Sequence, residues 1–289
     1  MIGPRPVVVT GASSGIGAAC VKVLAQEGLT PIPMVRKDRD LDDLATQIGF
    51  RPFGLVADVT DRASLLAAAD MLKEELGPHG ALFGLVNNAG VAPPGPLMFQ
   101  DFDQWQHVMD VNCLGVVRCM QAFGPLLGVR DDHAHSPGRV VNITSIAGQV
   151  GWPYLSAYSA SKHAVEALSD SARRELIPYG VDVIIVGPGA VKTPIWGKAH
   201  QYDLSRYDDS PYAGNLAKFV RSIEKDGEKG LDADVIGRVV LRALTVRNPK
   251  PRYAPVPNPL FGWLLPRFLP KRWLDALMAR ALGFHRPSK

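Results

Sequence analysis

Tyr158 and Lys162 stand four residues apart in Tyr158-Ser159-Ala160-Ser161-Lys162, within a stretch of helical periodicity from Leu155 to about Leu176. In a helix that spacing puts both side chains on one face. A tyrosine with an ordinary pKa near ~10 is a poor base at neutral pH, and a nearby ammonium favours its phenolate. The two groups therefore make a tuned acid/base pair. A third hydroxyl, Ser145, follows the apolar run Arg139–Ile143. If that run is a strand, Ser145 lies at the carboxyl edge of a sheet, where ligands bind in open α/β folds. Taken singly, these residues also fit an exposed helical Tyr/Lys pair and a serine that only caps a helix.

A second signal is phosphate chemistry. The run Pro6-Val7-Val8-Val9-Thr10 reads as a buried strand, and the turn Gly11-Ala12-Ser13-Ser14-Gly15-Ile16-Gly17 follows it, leading into a helical pattern that ends near Gly28. A glycine turn feeding a helix N-terminus offers free N–H groups and the positive end of the helix dipole to a pyrophosphate. The spacing is G-x-x-x-G-x-G rather than the commoner G-x-G-x-x-G.

The elements that must position these groups are legible as short apolar runs near Pro31–Val35, Phe53–Ala57, Leu82–Val86, Arg139–Ile143 and Val181–Val186, separated by helical stretches. Arg252–Val256 is a weaker strand candidate. Continuous rather than alternating apolar runs imply strands covered on both faces. The expected fold is α/β, a Rossmann-like doubly wound parallel sheet of about seven strands with helices on both faces.

With Thr10-Gly11-x-x-x-Gly15-Ile16-Gly17, Asp58, Asn87-Asn88-Ala89-Gly90, Asn112, Ser145, Tyr158-x-x-x-Lys162, Pro188-Gly189 and Thr193 in this order, the chain resembles the short-chain dehydrogenase/reductase family over roughly residues 5–195. The resemblance implies that Tyr158 exchanges a proton with the substrate oxygen and that Ser145 hydrogen-bonds that oxygen. It implies that Lys162 also holds the nicotinamide ribose and that Asn112 supports a water linking Lys162 to solvent. Gly11, Ser13, Ser14, Gly15, Ile16 and Gly17 would cradle the phosphates. Asp58, with Val59 beside it, would accept from the adenine amino group, although Asp58 could equally cap the helix starting near Asp61. Asn88, Ala89 and Gly90 would line the adenosine ribose. Pro188, Gly189, Val191 and Thr193 would hold the carboxamide. The stretch from Tyr158 through Trp196 is similar to the retinol and 17β-hydroxysteroid dehydrogenase branch.

The cofactor expected is NADP(H) rather than NAD(H). Where an acid would bind the ribose hydroxyls of NAD, the sequence has Val35, and Arg36 follows it. Arg36 can grip a 2′-phosphate through two hydrogen bonds; it could instead stack on adenine, with Asp38 reaching the ribose. The pocket segments Val91–Met98, Gly148–Leu155 and Trp196–Gly230 contain Trp152, Tyr154 and Trp196, with Ile195 just before the last. Such a lining favours a lipophilic alcohol or carbonyl over a sugar. A 3-oxoacyl ketoreductase and a non-catalytic dinucleotide sensor or scaffold are the alternatives. His107, His133, His135, His163 and His200 have no motif context and read as surface or packing residues.

The 289 residues are 46% hydrophobic and 21% charged, a globular composition. The odd set Cys20, Cys113 and Cys119 has no ligand spacing, so a reducing compartment and no metal are expected. No leader or membrane-spanning run is apparent, which points to a cytoplasmic protein. Residues 241–289 hold 10 Lys or Arg against one acid, Asp275, whereas residues 1–240 hold 22 against 27. A basic tail on an acidic body argues against nucleic acid. The expected division is a dinucleotide-binding domain over residues 1–245, with a substrate loop at 193–230, and an apolar, basic extension over 246–289. In Lys271–Leu282, Trp273, Leu274, Leu277, Met278, Ala281 and Leu282 share one helical face. That face could pack on the protein itself, join subunits or lie on an anionic membrane. The family resemblance implies a homodimer or homotetramer built through the helices after Asp101 and Leu155.

Overall fold

Val7, Val8 and Val9 are wholly enclosed, because β1 (Pro6–Thr10) lies in the middle of a sheet with a core on each side. Val8 enters one core and Val7 and Val9 the other, the alternation that a two-residue period imposes on a strand covered twice. In this computed structural model the described residues are 2–77, 80–130, 135–194 and 202–284, without the side chains of 261 and 262.

The other sheet strands are β2 (Thr30–Val35), β3 (Leu55–Val56), β4 (Gly84–Asn87), β5 (Arg139–Ile143), β6 (Asp182–Val186) and, after the small pair β7 (Val191–Lys192) and β8 (Leu231–Asp232), β9 (Arg252–Tyr253). Their order is β3-β2-β1-β4-β5-β6-β9, all pairs parallel. The order reverses between β1 and β4, which opens a crevice at the carboxyl edge. Against one face pack α3 (Arg62–Leu76) and α5 (Gly115–Leu127), with Ala172 of α6 (Ser156–Glu175). The other face is covered by α1 (Gly15–Gln26), α2 (Arg39–Ile48) and the later helix α8 (Ala233–Thr245). The short helix α4 (Phe102–Met109) runs through a π turn, Asp110–Leu114, into α5.

Helix α7 (Ala213–Glu228) contributes Leu216, Phe219 and Val220 to a third cluster with Tyr154, Tyr158 and Tyr207. After β9, which extends the sheet beyond residue 245, come a π turn at Leu260–Leu264, a single turn at Leu265–Phe268 and the amphipathic helix α9 (Lys271–Leu282). No residue of α9 is buried, and Trp273 is 68% exposed. Leu282 and Phe284 pack on the third cluster.

Candidate active site

The glycine turn is built for close approach. Gly11 and Gly15 have φ of 61° and 58°, a left-handed conformation that glycine adopts without a Cβ penalty. A Cβ on Gly11 would lie 2.8 Å from Ala89 Cα, and one on Gly17 would collide with the Gly11 carbonyl oxygen. Ser14 caps α1 without a side-chain bond, and the first turn holds no acid. Its N–H groups and the helix dipole therefore face outward, an anion site. Thr193 closes the turn from the opposite side, 3.2 Å from where a Cβ of Gly15 would be.

One cleft runs from this turn along the carboxyl edge. It is lined by Gly11, Ser13, Ser14, Gly15 and Ile16; by Arg36; by Asp58 and Val59; by Asn88, Ala89 and Gly90; and by Pro188, Gly189, Val191 and Thr193. Ser145, Tyr158 and Lys162 stand in the same cleft. Of the residues expected here, Gly17 and Asn112 support the lining from behind. Asn88 turns its amide inward, donating to the Thr10 and Gly11 carbonyls at 2.9 and 3.0 Å. Thr10 Oγ1 accepts from the Asn88 and Ala89 N–H groups. Asn88 thus ties the glycine turn to β4. Asp58 does not cap α3; Asp61 does, accepting from Ala63 N–H. Asp58 Oδ1 instead takes the N–H and hydroxyl of Thr60 at 2.9 and 2.8 Å.

At the other end of the cleft, Ser145 and Tyr158 share a side-chain hydrogen bond. Ser145 Oγ also accepts from Ala147 N–H at 3.0 Å, capping the 3₁₀ turn Ile146–Gly148; the hydroxyl that meets Tyr158 thus also serves as the cap. Lys162 lies 5.8 Å from the Tyr158 ring centroid and donates to the Ile143 carbonyl at 2.9 Å. An ammonium has three donors, so two remain for a ligand. Helix α6 is fixed against the sheet by a buried chain in which Asn87 donates to Asn142 and Asn142 to Ser169.

Burial sets the protonation states. It pushes the Tyr158 phenol above its ordinary value, with the Ser145 hydrogen bond opposing; the net shift is upward, opposite to the lowering expected from a nearby ammonium. The Lys162 ammonium is pulled down to about 8 by burial, against the opposing pull of Cys113 and Glu166. Asn112 sits in the π turn, with Oδ1 accepting from Val91 N–H and Nδ2 donating to the Val91 carbonyl and Ser161 Oγ. Its side chain holds the turn against α6. Cys20 and Cys119 are buried, the thiols raised to about 12 by desolvation.

His107 is exposed, as expected of a surface residue, and also lines the cleft; nothing in its sequence context marked that place. Tyr202 also lines the cleft beside Arg36. His163 does pack, with Nδ1 against the Ser159 carbonyl. The first two pocket segments are joined, Gly95 N–H donating to the Tyr154 carbonyl at 2.8 Å. Ile195, Trp196, His133 and His200 fall outside the described residues.

The uncapped helix end, the glycines that a Cβ would block and the proton-transfer set at one cleft fit a nicotinamide dinucleotide and define an NAD(P)-dependent oxidoreductase. Residues 5–203 match the family described as short chain dehydrogenase, and the chain belongs to it. It is 36% identical, over 96% of this chain and 97% of the relative, to an NADPH-dependent 3-dehydrocapnine reductase of Ornithobacterium rhinotracheale. It is 31% identical to retinol dehydrogenase 16 of Mus musculus, over 94% and 87%. A short-chain dehydrogenase structure from Streptomyces avermitilis superposes with a TM-score of 0.71 at 27% identity, covering 97% of this chain and 95% of that one.

Proposed function

We propose that the protein is an NADP(H)-dependent oxidoreductase interconverting a lipophilic alcohol, steroid-, retinoid- or long-chain-like, and its ketone or aldehyde. The observation that carries this reading is the Ser145–Tyr158 hydrogen bond beside a buried Lys162, in the same cleft as an open helix N-terminus. The glycine turn would hold the pyrophosphate, Arg36 the 2′-phosphate and Lys162 the nicotinamide ribose. The similarity to an NADPH-dependent reductase supports the same preference. When bound, the reduced dinucleotide supplies a hydride. Tyr158, kept a neutral phenol by burial, donates its proton to the substrate oxygen in the reducing direction. Ser145 Oγ hydrogen-bonds that oxygen and orients it. Tyr154, Tyr207, Leu216 and Phe219 pack with Tyr158 in a buried apolar cluster behind the cleft.

The division at residue 245 is proposed with β9 joined to the sheet, and the apolar, basic segment after β9 is proposed as a contact surface on that domain. It offers exposed Phe268, Trp273 and Leu277 with Arg267, Lys271 and Arg272, a combination suited to an anionic membrane surface. Among the described residues no helix is long and apolar enough to cross a membrane. A homodimer or homotetramer through α4, α5 and α6 is proposed alongside.

The test is NADPH consumption across steroid, retinoid, aliphatic and acyl-thioester carbonyls, repeated with Tyr158→Phe. Turnover of a lipophilic carbonyl is expected, and the variant should bind NADPH normally while kcat falls about 10²- to 10⁴-fold. Equal turnover by the variant refutes the mechanism, and exclusive use of acyl thioesters moves the assignment to a ketoreductase.

A further inference from the structure

Glu166 lies one turn beyond Lys162 on α6, and no step above uses it. Its carboxylate is nearly enclosed and is held by three side chains. Thr144, the residue before Ser145, donates its hydroxyl to Oε1 at 2.6 Å. Gln149, at the end of the 3₁₀ turn, donates Nε2 to Oε2 at 3.2 Å. Arg252 of β9 gives Nε to Oε2 at 2.9 Å and Nη2 to Oε1 at 3.1 Å, a two-pronged pair with side chains only 15% and 13% exposed. The guanidinium carbon lies 4.1 Å from the Trp263 ring centroid. Arg252 also crosses Gly187 so closely that a Cβ there would collide with Nη2. Gly187 precedes Pro188 and Gly189, and β9 and the segment after it hold that loop: Gly187 N–H donates to the Tyr253 carbonyl and Gly189 N–H to that of Pro255.

An enclosed ion pair adds little net stability, because desolvation offsets its attraction. What it supplies here is a fixed geometry and a negative charge beside the catalytic amine. We propose that Glu166 and Arg252 are positioning residues. Together they clamp the end of β5 carrying Ser145, the turn of α6 carrying Lys162 and the loop Gly187–Gly189 in one register, with Trp263 covering the clamp from outside. This rests on the proposed roles of Ser145, Tyr158 and Lys162. The ionisable side chains acting on Lys162 are Cys113 from the π turn and Glu166 on its own helix, with Tyr158 one turn back and Arg252 behind Glu166. Glu166 opposes the loss of the Lys162 proton that burial promotes, while the Cys113 thiol, itself raised by burial, is uncharged at neutral pH.

Glu166→Gln keeps the shape and removes the charge. In the full chain, kcat for the carbonyl found above should fall about 10- to 100-fold, the effect of a small misplacement of reacting groups, with KM and NADPH affinity unchanged. The titration midpoint of the Lys162 amine, read by competitive acetylation and mass spectrometry across pH on cofactor-free protein, should move to lower pH. Arg252→Lys, which keeps the charge but not the fork, should lose part of kcat. The double variant Glu166→Gln/Arg252→Gln, with no unpaired buried charge, should regain melting temperature but neither kcat nor the Lys162 midpoint. A lowered melting temperature with kcat and midpoint both unchanged would make the pair purely structural and overturn the proposal. If Glu166→Gln does not fold, the double variant carries the same two readouts. The acetylation needs no turnover, so a wild-type protein that reduces no carbonyl refutes the proposed function and leaves the titration to decide the charge effect of the clamp.

Discussion

The glycine turn and the helix α9 are both short segments with strong local patterns, yet they stand oppositely toward the rest of the molecule. Behind the turn the neighbours are fixed: Gly17 is closed in by the Gly11 carbonyl and Asn88, and Thr10 is tied to Asn88 and Ala89. Around α9 less is fixed; the helix forms over Lys271–Leu282 but buries none of its residues, and Leu282 with the following Phe284 packs on the third cluster. A local pattern therefore specifies conformation in both places, whereas burial commits only the first to a single use.

The sharpest way to break the contrast is Gly17→Ala. Its Cβ meets backbone that cannot give way, so overpacking should cost about 1–3 kcal/mol and displace the turn, lowering melting temperature and weakening NADPH binding by at least about tenfold. A variant that binds NADPH as the wild type does would show the turn to be looser than its contacts imply.

Lys162→Met tests the opposite side of the site, where function is kept against stability. The Lys162 pKa is lowered in the fold to about 8 from 10.5. Between those values the unfolded chain binds more protons than the folded one, so stability rises with pH through that window. Lys162→Met should remove this rise, melt higher than the wild type at pH 7 and lose turnover; identical pH–melting curves for the two proteins would contradict the buried ammonium.

A smaller effect is expected at the exposed Arg36. Arg36→Ala should reduce the NADPH to NADH preference by about tenfold, in line with the loss of one or two charge-assisted bonds, and leave melting temperature unchanged. An unaltered ratio would remove the 2′-phosphate contact. Least disturbing to the fold is Trp273→Ser/Leu277→Ser on α9. With no buried neighbour to lose, stability should change by no more than about 0.5 kcal/mol, while flotation with anionic liposomes at low salt should be lost. Wild-type protein that never floats excludes the membrane contact.

Much of the sheet was legible because a parallel strand buried twice has to be apolar along its length: β1, β5 and β6 lie where their Val- and Ile-rich runs are, and β2 on the apolar run Pro31–Val35. The cleft was legible because backbone approach requires glycine at fixed spacing and proton transfer requires Tyr158 and Lys162 on one helical face. That the exposed His107 also lines the cleft comes from how α4 packs on α6, which no local spacing records. Arg252 was read only as the start of a weak strand.

By itself, the sequence determined the fold class, the glycine turn and the shared helical face of Tyr158 and Lys162, since each follows from local backbone conformation or from a short period, whereas Ser145 was placed by the strand it follows and by the family resemblance. The tertiary structure alone decided that burial raises the Tyr158 phenol above its ordinary value, and that Asn88 and Asn112 spend their amides on the scaffold. It also joined Glu166 to Arg252, 86 positions apart. Desolvation and pairing between distant residues depend on which surfaces meet, and that is settled only when the whole sheet closes.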